Sequence, residues 1–421
     1  AEIQPSVDAL VASGINKIIL LAHMQQLQVE QGLATRLRDV DLIIAGGSNT
    51  GLYDGNDRIR PGDTNGGNYP LRYTSPSGAP VLVVNVDADY KYLGRIVLPF
   101  DEQGRIIIRR LDSALNGAWA SDTEGLARAG LTPADAMPAV AAIADKIQAV
   151  INAKDGNLFG ATSVYLEGDR VIVRNQDANL AWARTVDGST AISIKNGGGI
   201  RSSIGTINAP PGSTSGGVKA PTAANPAVGK QAGDVSQLDI EFALRFNNGL
   251  SLLTLTAAEL KAVIEHGVSD WTPSSTQGKF PQVGGLRFSF DPGQPAGSRV
   301  RTLVVDDPDG SGPATGPQVV YSAGSFQVPV DTTYRIVTLD FLAGGGDAYP
   351  LTALAAPNRV DLVAPGTTKT FTTEGAEQRA LAQYLAARHP RTTPFASADV
   401  AATDDLRIQN LSVRSDSLPQ N

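Results

Sequence analysis

DLIIAGGSNT, Asp41 to Thr50, decides how this chain folds. Four apolar residues, Leu42 to Ala45, run into Gly46-Gly47 and then into the small polar Ser48, Asn49 and Thr50. A continuous apolar run is the pattern of a parallel strand buried on both faces. A glycine turn opening onto small polar groups is how such a strand ends at the ligand edge of an open α/β sheet. Upstream, INKIILLAH (Ile15–His23) reads as a second buried strand. MQQLQVEQGLATRLRD (Met24–Asp39) reads as an amphipathic helix with Leu27, Leu33 and Leu37 inward. Downstream, GLYDGNDRIRPGDTNGGNYP (Gly51–Pro70) is too long and too polar for a mere connection. APVLVVNVD, YLGRIVLPFD and RIIIRRLD then predict an apolar strand and two hairpin-like ones. Strand–helix–strand order with polar loops after the strands predicts an α/β sandwich.

The wider composition limits what such a sheet can serve. The chain has 421 residues, so one to three domains are expected. Its apolar fraction of 42% is ample for buried cores, and its net charge of −7 disfavours nucleic acid or an anionic membrane as the main partner. No cysteine is present, which removes disulfides, thiolate chemistry and Cys-ligated zinc, and which fits a secreted bacterial protein. No apolar run approaches the ~18 residues of a membrane span. The opening AEIQPSVDAL lacks the basic start and apolar centre of a signal peptide, and a start at Ala places the natural N-terminus elsewhere. The three histidines, His23, His266 and His389, are too few for a site built on several imidazoles.

Residues 116–135 are small and polar, as in a linker. TPADAMPAVAAIADKIQAVINA (Thr132–Ala153) adds a Thr cap and an early Pro, predicting a long helix that bridges two domains. A second α/β unit is expected from 157 to 421, with a Gly/Pro/Ser/Ala-rich stretch, 208–234, as a mobile surface insertion. Three segments of this unit carry polar chemistry. SIKNGGGIRSSIG (Ser193–Gly205) sets a triple glycine between Asn196 and Arg201. Glycines let backbone N–H groups approach an anion and Arg can fork onto it, although a tight turn with a surface Arg would look the same. FALRFNNGLSLLTLTAAELKAVIEHG offers Phe246 beside Asn247 and Asn248, then a helix capped from Thr256; a core Phe in an Asn turn is the plainer alternative. YRIVTLDFLAGGGDAYP ends a strand on Phe341, followed by three glycines and Asp347, a loop suited to a base and a sugar.

Taken in order, NGGGIR, RFNNGL before TAAELKAVIE, FPQVGGLRFSFDPGQPAGSRV and DFLAGGGDAY resemble the C-terminal domain of the 5'-nucleotidase family over roughly 160 to 355. The stretch GINKIILLAH through IIAGGSNT, with GDTNGGNYP and PVLVVNVDADYKYLGRIVLPFD, is similar to the last third of that family's metallophosphoesterase domain. The resemblance implies an α/β chain of two parts: residues 1–115 from the metallophosphoesterase sandwich, a linker and bridging helix over 116–156, and a 5'-nucleotidase C-terminal domain over 157–421. It implies a metal-dependent hydrolase releasing phosphate from nucleotides, with two divalent metal ions that activate water and neutralise the phosphate. His23 and Asn49 would be metal ligands, although a lone His at a strand end is also a common hydrogen-bonded core residue. Arg174 and Arg201 would face the substrate beside Asn196 and Gly198, Phe246 and Phe341 would clamp the base, and Asn248 and Asp347 would contact base or ribose. A nucleotide or nucleoside is the implied partner, with no nucleic acid and no membrane span, and a secreted or periplasmic bacterial location.

Three departures qualify the implied chemistry. The D-x-H, G-D and G-N-H-E segments that carry most of the family's metal ligands would precede Ala1, so the metal site is expected to be incomplete here, with the missing N-terminal segment a possible partner. Gly47 stands where the family commonly has a His ligand. RVIVRNQDANLAWAR is roughly nine residues shorter than its counterpart between Arg174 and Asp177. The alternative expectation is a non-catalytic extracellular nucleotide-binding or structural protein that keeps the scaffold.

Overall fold

A computed structural model describes residues 2–24, 26–168, 176–208, 217–273, 278–310, 316–355 and 358–420. The fold is mixed α/β, and the described residues divide into two compact units, one over 2–144 and the other over 145–208 and 218–420.

The first unit is built on the stretch from which the fold was read. Helix α1 (Gln4–Ala12) leads to strand β1 (Ile19–Leu21), helix α2 (Leu27–Ala34), β2 (Leu42–Ile44), β3 (Leu71–Thr74) and β4 (Pro80–Val84). These strands form one sheet in the order β1-β2-β4-β3, the first three parallel and β3 antiparallel to β4. Leu42, Ile43 and Val81 to Val84 are buried, as an apolar run in a central strand requires, whereas Ile44 at the end of β2 is 41% exposed. Leu27 and Leu37 turn inward against them, and Leu33 is partly buried. The strand expected from Ile15 to His23 is short and only half covered. As the sheet's edge strand, β1 leaves Ile19 55% and Leu21 76% exposed.

Two further readings of this unit change. Strand β5 (Tyr92–Arg95) pairs with β6 (Gly117–Ala120), inside the stretch read as linker, and not with RIIIRRLD. That segment makes one bridge, Phe100 to Ile106, and a 3-10 turn at Ile108–Arg110. Helix α3 (Thr123–Arg128) follows, N-capped by Asp122, which accepts from Gly125 N at 2.9 Å and also receives Arg58 Nη1 on both its oxygens. Gly117 and Ala118 are buried, so this part of the chain is packed structure. The Thr132 cap serves only a 3-10 turn, Pro133–Asp135, and the long helix α4 (Pro138–Asp155) starts later, at a proline suited to a first turn.

The second unit holds strand β7 (Leu158–Ala161), helix α5 (Gln176–Val186), β8 (Thr190–Asn196), β9 (Thr206–Asn208), β10 (Val218–Ala220), β11 (Asp234–Ser236), α6 (Gln237–Ala243), β12 (Leu250–Thr256) and α7 (Ala257–Val268). It continues through β13 (Pro281–Gly284), β14 (Leu286–Phe290), β15 (Val300–Val305), β16 (Gln318–Ser322), β17 (Ser325–Phe326), β18 (Thr333–Leu339), α8 (Asp340–Ala343), α9 (Leu351–Ala355), β19 (Val360–Asp361), α10 (Glu377–Arg388) and β20 (Ile408–Asn410). One sheet runs β13-β8-β18-β12-β19 and another β17-β16-β15-β14-β20, with Ile192, Leu253, Ile264, Phe288 and Ile336 in a shared apolar core. Thr256 caps α7 reciprocally with Glu259, as TAAEL suggests.

The register of the first of these sheets decides what meets at its edge. β8 and β18 are parallel neighbours, with Thr338 opposite Ile194, so both point the same way and end together. β12 is antiparallel to β18, with Leu250 opposite Leu339, so the residues before β12 arrive at that same end. The stretch 217–234, expected as a mobile insertion, is instead tied down. Lys230 is buried and reaches Asp155 at 2.7 Å and Asp239 at 2.8 Å, while Asp234 accepts from Nε and Nη2 of Arg391. Residues 209–216 of that insertion lie outside the described residues.

Candidate functional site

Three loops with residues as far as 151 apart in sequence converge where β8 and β18 end and β12 begins. The chain leaves β8 at Asn196 and turns through Gly197–Gly199 to Arg201. Phe246, Asn247 and Asn248 lead into β12. Helix α8 carries Phe341 off the end of β18, followed by the turn bearing Asp347. Asn196, Gly198, Gly199, Arg201, Phe246, Asn248, Gly278, Phe341 and Asp347 together line a cleft of about 300 Å³, open to solvent. The structure thus brings seven of the eight expected substrate residues together; Arg174 lies outside the described residues.

Glycine is needed at particular points of this cleft. A Cβ on Gly346 would meet the Phe341 ring at 2.5 Å, and one on Gly199 would meet Lys195 Cε at 2.8 Å. Asp347 itself sits in the left-handed region at φ 52°, a conformation Asp tolerates better than most residues. Its turn is held from behind. His266 Nε2 lies 2.9 Å from the Asp347 carbonyl oxygen, and the His266 ring packs edge-on against Tyr349, whose hydroxyl donates to the Lys279 carbonyl at 2.7 Å. His266 therefore supports the site loop from the C-terminal half of α7, a placement its sequence neighbourhood did not suggest.

The cleft combines two exposed rings with a set of hydrogen-bonding groups. Phe246 is 60% and Phe341 44% exposed, unusual for aromatic side chains that pack no core. The Arg201 guanidinium lies 5.8 Å from the centre of the Phe246 ring, within cation–π range. Asn196 donates its amide to Asp347 Oδ2 at 2.6 Å, while its own Oδ1 is buried with no hydrogen-bond partner. A buried unpaired carbonyl costs about 1–3 kcal/mol, so an orphan acceptor beside an open cleft awaits a donor. Beneath the loops, Glu377 Oε1 accepts from Asn248 N at 2.8 Å and from Asn248 Nδ2 at 2.9 Å, and its Oε2 pairs with Lys195 Nζ. Neither Lys195 nor Glu377 stood out in the sequence, since Glu377 is 129 residues from Asn248 and sits in no motif.

In the first unit, the parallel strands deliver His23, Gly46 to Thr50 and Asn85 to their carboxyl ends. Gly46 is in close contact with His23, since a Cβ there would stand 3.1 Å from His23 Nδ1. Gly47 and Asn49 take left-handed conformations at φ 83° and 51°, and Ser48 Oγ accepts from Asn85 Nδ2 at 3.0 Å. Among the described residues no group of three or more His, Asp or Glu is placed to hold a metal ion. One imidazole and neutral amides do not fit a pair of divalent cations, which are held by carboxylates and several imidazoles.

Residues 170–354 match the family described as 5'-nucleotidase, C-terminal domain. The chain is 28% identical over 364 residues to a 5'-nucleotidase of Homo sapiens, covering 83% of this chain and 54% of that protein. It is 28% identical over 362 residues to a snake venom 5'-nucleotidase of Gloydius brevicauda, covering 83% and 53%. Among solved structures, a 5'-nucleotidase precursor from Thermus thermophilus is similar over 97% of this chain and 66% of its own, with 26% identity and a TM-score of 0.48. The chain spans about half the length of the curated relatives it matches. No helix among the described residues is long and apolar enough to cross a membrane.

Proposed function

We propose, from the match of residues 170–354 to the 5'-nucleotidase C-terminal domain and the likeness to 5'-nucleotidases, that the second unit grips the nucleoside of a nucleotide from which phosphate is released by hydrolysis. The convergence of Phe246, Phe341, Asn196, Asn248, Asp347 and Arg201 on one cleft carries this reading. Exposed rings offer flat faces for a base, and stacking supplies about 1–3 kcal/mol per base. Asp347, with one oxygen spent on Asn196, keeps a second acceptor for a ribose hydroxyl. Arg201 has no carboxylate partner among the described residues and suits an anionic group of the ligand.

Metal ions, where bound, would supply an activated water and charge neutralisation for phosphate release. The described donors of the first unit do not fit that pair, so the function assigned to this chain's own residues is binding and orientation. A non-catalytic nucleotide-binding role rests on the same observation. A secreted or periplasmic location belongs to the same reading and agrees with the absence of cysteine.

Thermal unfolding with and without ligand tests the reading. A ligand at 100 times its Kd stabilises the folded chain by about 2.7 kcal/mol, so adenosine and AMP should both raise the melting temperature. No shift with either, at millimolar concentration, would remove the nucleoside assignment.

A further inference from the structure

Each asparagine of the cleft has one of its two amide N–H donors engaged by a carboxylate. Asn196 gives its amide N–H to Asp347 Oδ2, and Asn248 gives Nδ2 to Glu377 Oε1. A carboxylate oxygen can only accept, so the neighbour fixes which end of each amide faces it, and the amide cannot turn to put N–H where its carbonyl oxygen stands. For Asn248 the grip is threefold, because Glu377 Oε1 also takes the Asn248 backbone N–H, and Glu377 N donates to the Asn248 carbonyl at 2.9 Å. Glu377 is wholly buried at the start of α10 and is held in turn by Lys195, buried in β8 immediately before Asn196. A buried ion pair seldom adds net stability over an apolar substitute, which favours a role in fixing geometry.

We propose that Glu377, held by Lys195, is a positioning residue that presents Asn248 to the cleft as a hydrogen-bond acceptor, so that the site favours an amino-bearing base over its oxo counterpart. This rests on the nucleoside reading above. Asn196 points to the same polarity, since its Oδ1 is the buried acceptor without a partner. A 6-aminopurine offers a donor to this edge, whereas a 6-oxopurine sets a carbonyl against a carbonyl at that position and leaves the acceptor unpaired.

The test is calorimetric titration of adenosine and of inosine into the full chain and two variants. The paired Lys195→Met/Glu377→Gln removes both charges together, avoiding a lone buried ion. Its Gln amide donates as well as accepts, freeing Asn248 to turn. Glu377→Asp keeps the charge for Lys195 but draws the carboxylate back from Asn248, and it serves if the paired variant does not fold. In the unaltered chain adenosine should bind roughly tenfold more tightly than inosine, the weight of one hydrogen bond and its unpaired acceptor. In either folded variant that ratio should fall towards parity, mainly through weaker adenosine binding. Equal affinity in the unaltered chain, or variants in which both ligands weaken together and the ratio persists, would overturn the positioning role while leaving nucleoside binding intact. Failure of both nucleosides to bind the unaltered chain would remove the nucleoside reading and this inference with it.

Discussion

Gly346 and the two phenylalanines show how single residues set the cleft. A methyl group at Gly346 would stand 2.5 Å from three atoms of the Phe341 ring, so Gly346→Ala must push that ring aside. Phe341 is 44% exposed on α8 and Gly346 lies in the turn that follows, so the expected result is weaker adenosine binding with little change in melting temperature, read by titration and thermal unfolding side by side. Phe246→Ala and Phe341→Ala should each weaken adenosine about tenfold or more, the loss of one stacking face. Unchanged affinity in both would mean that the rings do not hold the base. Most of these residues were legible in the sequence because each lies within a short motif, NGGGIR, RFNNGL or FLAGGGDAY, where glycine, amide and aromatic side chains occur at fixed spacing. Glu377, Lys195 and His266 were not, because they act through contacts across 129, 182 and 81 residues and their local sequences look like ordinary strand and helix.

Helix and strand termini carry the next scale of the account. The sequence TAAEL announces the reciprocal cap of α7, and Thr256→Ala should cost about 1 kcal/mol, seen as a lower denaturation midpoint. The stretch before β11 was misread for a physical reason: its Gly, Pro and Ala content suggests a loose loop, but one buried lysine anchors it. Lys230 bridges Asp155 at the end of α4 and Asp239 in the first turn of α6, and Asn225 and Ser236 also bond Asp155. Lys230→Met leaves these buried carboxylates without their cation and should destabilise the second unit by about 3–5 kcal/mol. Burial alone would raise the Asp155 and Asp234 carboxyls, but their cations and hydrogen-bond donors hold both below the ordinary carboxylate value. A depressed folded value means that this stabilisation is present above about pH 4 and is lost as pH falls through the folded values. Lys230 is shifted the other way: burial opposes its charge, yet Asp155 and Asp239 raise it, so its contribution holds until strongly alkaline pH. Melting temperature followed from pH 7 to pH 3 should therefore fall in acid, and less steeply in Lys230→Met than in the unaltered chain. The edge strand β1 was misjudged for a different reason, since an apolar run reports hydrophobicity but not the number of neighbours a strand has.

At the scale of the whole molecule, the two units differ in what their strand ends present. The first offers His23, Asn49 and Asn85 around a glycine turn, a set too neutral for two divalent ions. The second offers a cleft that needs no metal for what it is proposed to do. Nucleoside affinity should then be the same with and without a chelator such as EDTA, measured on the same sample. The alternation of strand and helix was readable from apolar runs alone, whereas the meeting of β8, β12 and β18 at one edge was not, because sheet order depends on long-range pairing.

Backbone hydrogen–deuterium exchange of the chain with and without adenosine tests the central claim most directly, since it reports where a ligand acts as well as whether it binds. The account predicts slower exchange confined to the amides around Gly197–Arg201, Asn248 and Gly344–Asp347, together with Glu377 behind them. Protection that appears elsewhere and spares these loops, or no protection at saturating adenosine, would contradict the assignment of this cleft to a nucleoside.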